Sequence, residues 1–427
     1  MRSLLITCLV ALAACGDDAR STPVVAVADT VDGVERWRYS ADAATELDWP
    51  VDTLGVVGDA LAEDAYQFDD VSWERLASDA AGNLYILDRQ GARVLKYGPD
   101  LSHLATFGRS GEGPGELSRP NGLTIGPGDT VWVTDFANSR LTGYPQGGGD
   151  PRTIPYRDDS GIPAPVFAAL ADGFIQSFRP MPVFPGARQG GPGGGQDGAT
   201  AQPLLRLTRS LEPVDTFWTI PEPPVDMIQL ELGQRMMVMM MPREFSPEFQ
   251  WQALSDGGVV VSDTAAYLLR LIGPDGALRR VIERDPAPRA ATEADRELVR
   301  QRLRDEEAEG GTSIRMGGGG AGPDEATRRR MLEQRLEKMT FASVLPRVVS
   351  LRVDPLDRIW VGVAGEVPDS VGRIDVYEPD GTLVGELRGV PMPDVFVGED
   401  RIGVLRRDEL DVQQVVLMEL NRPLPPS

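Results

Sequence analysis

The sequence predicts an all-β protein, a six-bladed β-propeller, and three observations carry that expectation. Two segments align closely: GNLYILDRQGARVLKYGPD (82–100) and GDTVWVTDFANSRLTGYPQ (128–146) share an apolar strand ending in Asp, a short polar loop, an Arg and a Tyr. The scheme returns in GGVVVSDTAAYLLRLIGPDG (257–276) and, with a longer loop and no equivalent Asp, in DRIWVGVAGEVPDSVGRIDVYEPDG (357–381). Turn signals stand at matching places in these units. Asp79-Ala80-Ala81-Gly82, Asp172-Gly173, Asp256-Gly257 and Asp354-Pro355 precede the second strand, and Gly98-Pro99-Asp100, Gly273-Pro274-Asp275-Gly276 and Glu378-Pro379-Asp380-Gly381 follow the third. Asp-Gly and Pro-Asp-Gly supply the backbone conformations of tight hairpins. Units of about 40–50 residues with four strands are propeller blades.

Six units fit, over 70–118, 119–158, 161–220, 245–285, 345–391 and 392–421. The third pairs DGFIQSF with PLLRLTRSLEPVDTFW across PGARQGGPGGGQDGATAQP (185–203), a low-complexity stretch with too few apolar residues to pack, read as a disordered loop. The sixth unit runs out after three strands. PVDTLGVVGD (50–59) has an apolar strand and no blade of its own, so it is expected to complete the sixth blade and leave no open edge there. The propeller is thus placed over 46–421.

Two stretches fall outside the blades. DMIQLELGQRMMVMMMPREF (226–245) is Met-rich; Met236, Met237, Met239, Met240 and Met241 suit an irregular core or an adaptable contact surface. Thioether ligation of Cu(I) is the alternative for such a run. The insertion 289–341 reads as two helices joined by the glycines 317–320, with Thr292 and Asp324 as N-caps and Leu332, Leu336 and Met339 as an apolar stripe. It is expected to pack on its own propeller, with a lid or a partner-docking arm as the other readings.

The bulk numbers exclude one partner class. The chain has 427 residues and a formal net charge of -22, and a polyanion is held through patches of Lys and Arg. Nucleic acid is not expected; a protein or carbohydrate partner is, on a monomeric propeller.

The N-terminus MRSLLITCLVALAACGDD places Arg2 before an apolar run, Leu4 to Ala14, that is too short to span a bilayer. Leu12-Ala13-Ala14-Cys15 resembles the lipobox of bacterial lipoproteins, which implies a signal peptide over 1–14, lipidation of Cys15 and an anchor linker over 15–45. With Cys8 removed, no intramolecular disulfide remains. Acyl chains on Cys15 would hold the protein in the cell envelope, and Gly16 in place of Asp favours the outer membrane or the cell surface.

The strand ending in Asp88, the N-x-R of Asn138 and Arg140, and FGRSGEGPGELSRPNGL (107–123) resemble NHL-type six-bladed propellers, in which a Gly-rich link carries the chain from one blade to the next. The resemblance covers 71–144 well, and 245–283 and 345–386 in part. It is nearest to lipoprotein-anchored bacterial propellers and implies the fold rather than an activity.

In a propeller, the interblade links and the loops between second and third strands emerge on one face around the channel mouth. That face would gather Asp88, Arg89, Arg109, Glu112, Glu116, Asp135, Asn138, Arg140 and Asp263 as a candidate ligand surface. The plainer reading is that each Asp caps its own loop. The four glycines of 107–120 do not make a phosphate loop, because a strand follows them, no Lys is present, and Glu112 and Glu116 repel phosphate. His103, the single histidine, reads as a solvated loop residue, so neither a Ser-His-Asp triad nor a multi-His zinc site is expected. No cofactor is expected; carboxylate-bound calcium is the one metal the composition admits. The innermost strands read as mostly apolar apart from Glu74, Asn121 and Asp394, which predicts a closed channel. The functional expectation is a non-catalytic, lipid-anchored binding propeller, with a calcium-dependent hydrolase or lactonase at the channel mouth as the alternative.

Overall fold

Strand Leu84–Asp88 is buried at every position, the signature of a strand covered on both faces. Val259–Ser262 and most of Ile359–Ala364 repeat that burial in later units. Each is the second strand of a four-stranded antiparallel sheet. A computed structural model describes residues 26–41, 43–68, 70–156, 162–179, 201–221, 225–232, 235–262, 265–284, 288–308 and 324–422.

Six such sheets form the ring. Blade 1 runs Leu76–Ser78, Leu84–Asp88, Arg93–Tyr97, His103–Phe107. Blade 2 runs Pro120–Gly126, Thr130–Asp135, Arg140–Tyr144, Arg152–Pro155. Blade 3 is Ile162–Ala169, Gly173–Arg179, Ala201–Thr208, Pro213–Pro221, and blade 4 is Gln250–Ala253, Val259–Ser262, Leu268–Ile272, Leu278–Arg284. Blade 5 comprises Val348–Val353, Ile359–Ala364, Val371–Tyr377, Leu383–Leu387. Blade 6 has Val395–Phe396, Arg401–Arg407 and Gln413–Leu420, and Val51–Val57 pairs antiparallel with the last of these. The N-terminal strand therefore closes the ring as the sequence indicates. A hydrophobic cluster fills each interface between neighbouring blades, for example Leu87 and Val94 against Val131 and Val133 between blades 1 and 2, and Val57 and Val415 with Leu84 and Ile86 between blades 6 and 1.

The Asp turns work as the residue types demand. Asp79 Oδ1 accepts from the N–H groups of Ala81 and Asn83 (both 3.0 Å), and Asp354 Oδ1 from those of Leu356 and Arg358 (2.9 and 3.0 Å). Each carboxylate replaces a backbone acceptor and pins its hairpin.

Three expectations need correction. Residues Ala26–Val31 and Val34–Tyr39, inside the stretch read as an anchor linker, form a hairpin whose second strand pairs in parallel with Leu278–Arg284, extending blade 4 to six strands. Trp37 and Tyr39 give it an apolar side that packs into the core between blades 4 and 5, which a linker would lack. His103 is not a solvated loop residue: it opens the outer strand of blade 1, edge-on to Tyr97, with its ring Nε2 2.9 Å from Thr106 Oγ1. Residues 201–203 of the low-complexity stretch belong to strand Ala201–Thr208, while 185–200 lie outside the described residues, as do Cys15 and the signal segment.

The two stretches without a blade pack on each other. The Met-rich segment is a hairpin, Val225–Leu232 with Arg235–Pro242. Helices α1 (Glu293–Ala308) and α2 (Glu325–Lys338) cover it, burying Ile228, Leu230 and Met241 with Val299, Met331, Leu336 and Met339. The expected caps form: Thr292 and Asp295 bond reciprocally at the start of α1, and the Asp324 side chain accepts from the Thr327 N–H at 2.7 Å. The helices thus pack on the Met hairpin, and α1 reaches the propeller through Arg302 and Asp369 (3.1 Å).

Candidate functional site: the loop-bearing face and the axis

Register fixes which loops share a face. In blade 5 Val348 pairs with Val363, and in blade 4 Gln250 with Ser262, so inner strands begin where second strands end. The interblade links and the Met-hairpin and helical insertions therefore emerge on one face.

On that face the predicted polar residues fall into two separate clusters. In blade 2, Asp135 is fully buried. Its Oδ1 accepts from the Ser118 N–H (2.7 Å), and its Oδ2 from Asn138 Nδ2 (2.7 Å) and Arg140 Nε (3.0 Å). Arg140 continues to the carbonyls of Glu112 (3.0 Å), Gly113 (2.8 Å) and Glu116 (2.6 Å), and Asn138 donates to that of Gly111 (3.0 Å). The Gly-rich link is thus clamped by the motif that follows it. Gly108 sits at φ +80°, where a Cβ would lie 2.8 Å from Leu117 Cδ1 and 2.9 Å from the Tyr144 hydroxyl; both the backbone and the space require glycine. Blade 1 repeats the device. Asp88 accepts from the Gly91 N–H (3.0 Å) and Arg93 Nε (3.1 Å), and Arg93 donates to the carbonyls of Asp64 and Gln67 (3.1 and 3.0 Å) in the link before that blade.

Arg89, Arg109 and Glu116 are ion-paired at the surface, and the Glu112 side chain is exposed. Arg109 bonds to Glu116 (Nη2 to Oε1, 2.9 Å), Glu116 also accepts from the Gly113 N–H (2.8 Å), and Arg89 pairs with Asp70 (2.8 Å). The Gly113 N–H and then Arg109 hold the Glu116 carboxyl below the usual carboxylate range. Asp263 lies outside the described residues. The donors of the two clamps are spent on the chain's own carbonyls. Asp135, Asn138 and Arg140 carry their geometry inside residues 117–144, and that segment matches the NHL repeat family. The chain carries an NHL repeat. It folds as a six-bladed β-propeller.

The chain is similar to NHL repeat-containing protein 3 of human (30% identical over 87 residues, 20% of this chain) and of mouse (32% over 87 residues). The match spans about a quarter of those relatives' length, 24% in each. Similar solved structures include a protein from Bacteroides fragilis (8% identity, 91% of this chain and 99% of that one, TM-score 0.46). A streptogramin B lyase (8%, 87% and 98%, 0.34) and a gluconolactonase from Xanthomonas campestris (14%, 89% and 92%, 0.37) are others.

The inner strands suggest a closed, mostly apolar channel, whereas the axis of the propeller holds a cavity with a mixed polar and apolar wall. It measures about 430 Å³ and lies among the inner strands of blades 3, 4 and 5 and the segment before blade 1, its wall combining Trp73, Trp251, Glu74, Gln250, Gln252 and Arg352 with apolar residues such as Val166, Phe249 and Leu351. Arg352 comes from strand Val348–Val353 and crosses to blade 1, where its guanidinium lies 3.8 Å from the centroid of the Trp73 ring. It is 9% exposed, donates Nη1 to the Leu351 carbonyl (2.9 Å), and makes no ion pair among the described residues. Its Nε is buried without a partner. Burial pushes Arg352 down to about 10, with Asp394 and Glu74 opposing that shift, and burial likewise raises the Asp394 carboxyl. Sequence reading noted Glu74 and Asp394 but passed over Arg352 and Trp73. The available signal was a charged residue in VSLRVDP, a strand otherwise made to be covered. Among the described residues, no three His, Cys, Asp or Glu side chains come together as metal ligands, and no helix is long and apolar enough to cross a membrane.

Proposed function

We propose that the protein is a lipid-anchored, extracytoplasmic binding propeller that holds a saccharide-like ligand at the axis, on the loop-bearing face, without transforming it. The observation that carries this reading is Arg352, a buried guanidinium with no ion-pair partner among the described residues, stacked on Trp73 inside a cavity that also offers Trp251, three glutamines (Gln202, Gln250 and Gln252), Glu74 and Glu248. Aromatic planes beside planar amide, guanidinium and carboxylate groups suit the apolar faces and hydroxyls of a sugar ring, and a saccharide hydroxyl gives the Arg352 Nε the acceptor it lacks among the described residues.

The two cavity tryptophans supply the test. Titration with a panel of neutral and acidic sugars is expected to change their fluorescence, and Arg352→Ala to weaken that response at least ~10-fold, the order expected when a buried hydrogen-bond partner is removed. The sugar should be recovered chemically unchanged. Turnover of the sugar, or an identical response in Arg352→Ala, would overturn the reading.

The anchor has its own measurement. Intact-mass analysis of membrane-fractionated protein is expected to show acyl chains that a Cys15→Ala variant lacks, and unchanged membrane fractionation of that variant refutes lipidation. The hairpin Ala26–Tyr39 is fixed to the outer edge of blade 4. An extended chain covers at most about 3.6 Å per residue, so an anchor at Cys15 would keep that rim within roughly 40 Å of the bilayer.

A further inference from the structure

Blade 5 carries a second cavity, farther from the axis. It measures about 510 Å³ and its charged wall is Arg289, Arg347, Arg373 and Arg388 with Glu366 and Asp369, the last two on the loop 364–372 across one side. Four arginines at one place on a chain of net charge -22 reverse the partner chemistry that the overall charge implies.

Their own counter-ions do not neutralise them evenly. Arg289 pairs with Asp295 (2.9 Å), Arg373 with Asp375 (2.9 Å), and Arg388 with Glu386 (2.7 Å). For Arg347, no side chain or carbonyl among the described residues accepts a hydrogen bond from the guanidinium, and its Nε is buried without a partner. Arg373 Nη2 is buried without a partner as well. Burial, then the charges of Arg373 and Arg289, push Arg347 below the usual arginine range; no carboxylate forms an ion pair with it among the described residues, although Glu366 and Asp369 line the same cavity. Position adds to this. Arg347 immediately precedes strand Val348–Val353, and its carbonyl accepts from the Ala364 N–H (3.0 Å), so the backbone behind the guanidinium is fixed by the sheet. A fixed, underpaired guanidinium beside three others is a site for an anion that can accept from several forks at once.

We propose that this arginine cavity binds a doubly charged tetrahedral oxyanion, a phosphate or sulfate group, whether free or carried as an ester on a larger ligand. The site is distinct from the axis cavity and does not depend on the saccharide reading. The ester sources differ from free anion only in what lies beyond the oxyanion, so sugar phosphate and sugar sulfate probes separate them from the inorganic ions.

The experiment is thermal unfolding and isothermal titration of the full chain with inorganic phosphate and with sulfate, at ionic strength held constant with sodium chloride. The wild type is expected to be stabilised by phosphate or sulfate and not by chloride, with heat that saturates. Arg347→Ala should lose at least ten-fold in affinity while unfolding at the same or a higher temperature in anion-free buffer, because it removes a charge that its neighbours repel. Arg352→Ala should leave the anion response intact, which keeps the two sites distinguishable. Absence of any response beyond the chloride control, or an Arg347→Ala variant that binds phosphate and sulfate as the wild type does, overturns the proposal. So does an Arg347→Ala variant that is destabilised without anion, since that result makes Arg347 a structural residue.

Discussion

Asp375→Ala is expected to cost about 3–5 kcal/mol of folding free energy, read as a lowered urea midpoint. Asp375 is fully buried on the third strand of blade 5, and Arg284, whose side chain is also fully buried, reaches it from the end of blade 4 at 2.5 Å. Arg373 (2.9 Å) and the Tyr267 hydroxyl (2.8 Å) complete the carboxylate's partners. With Asp375 gone, Arg284 keeps the Ala41 carbonyl at 3.1 Å and Glu386 at 3.5 Å, too little for a charge without access to water. Two comparisons separate this account from a general intolerance of blade 5. Glu283→Ala, which breaks the half-exposed pair with Arg38, is expected to cost no more than about 1 kcal/mol. The double change Arg284→Met with Asp375→Leu should be less harmful than Asp375→Ala, because removing both charges also removes their desolvation. A double variant as unstable as the single one would show that the network acts through shape rather than charge.

The same network shows where sequence reading reaches its limit. Blade count, the closing strand Val51–Val57 and the Asp turns follow from local pattern, since apolar alternation and Asp-Gly spacing act over a few residues. Arg284, Asp375 and Glu386 come from different strands and meet only because the ring closes; nothing in their spacing announces it. The N-terminal hairpin was hidden for a related reason. VADTVDGVERWRY pairs with a strand some 245 residues away, as Arg38 and Glu283 show, and its short apolar face reads as a linker until blade 4 covers it. Arg352 and Trp73 are likewise drawn together across the axis from opposite ends of the chain. The helices were legible as elements, with Leu336 and Met339 as a buried stripe, whereas the Met run was legible only as a stretch outside the blades and not as a hairpin. Their mutual packing was not, because apolar periodicity gives a helix its face but no address for it. The polar residues of the loop-bearing face were found individually; the loop-capping reading describes Asp88, which accepts from the Gly91 N–H of its own loop, whereas Asp135 accepts from the Ser118 N–H of the preceding link and from the Asn138 and Arg140 side chains.

Arg140→Ala is expected to destabilise the protein by about 3 kcal/mol with no ligand present, and to speed amide exchange across 107–120 more than anywhere else. The side chain neutralises Asp135, which has no exposure, and donates to the carbonyls of Glu112, Gly113 and Glu116. Removing it leaves a buried carboxylate supported only by the Ser118 N–H and Asn138, and frees a link whose glycines contribute little order of their own. Arg140→Lys should recover part of the loss, since an ammonium can neutralise Asp135 but cannot span both the carboxylate and three carbonyls as the guanidinium fork does. Arg109→Ala, in the same loop but 79% exposed at the side chain, should stay within about 0.5 kcal/mol of wild type. The ordering, Arg140→Ala worst, Arg140→Lys between, Arg109→Ala near neutral, follows from which donors are already spent on the chain's own backbone. If Arg140→Ala instead left stability and exchange unchanged while abolishing ligand binding, the clamp would have to be reassigned as a recognition site and the link 107–120 as its lid.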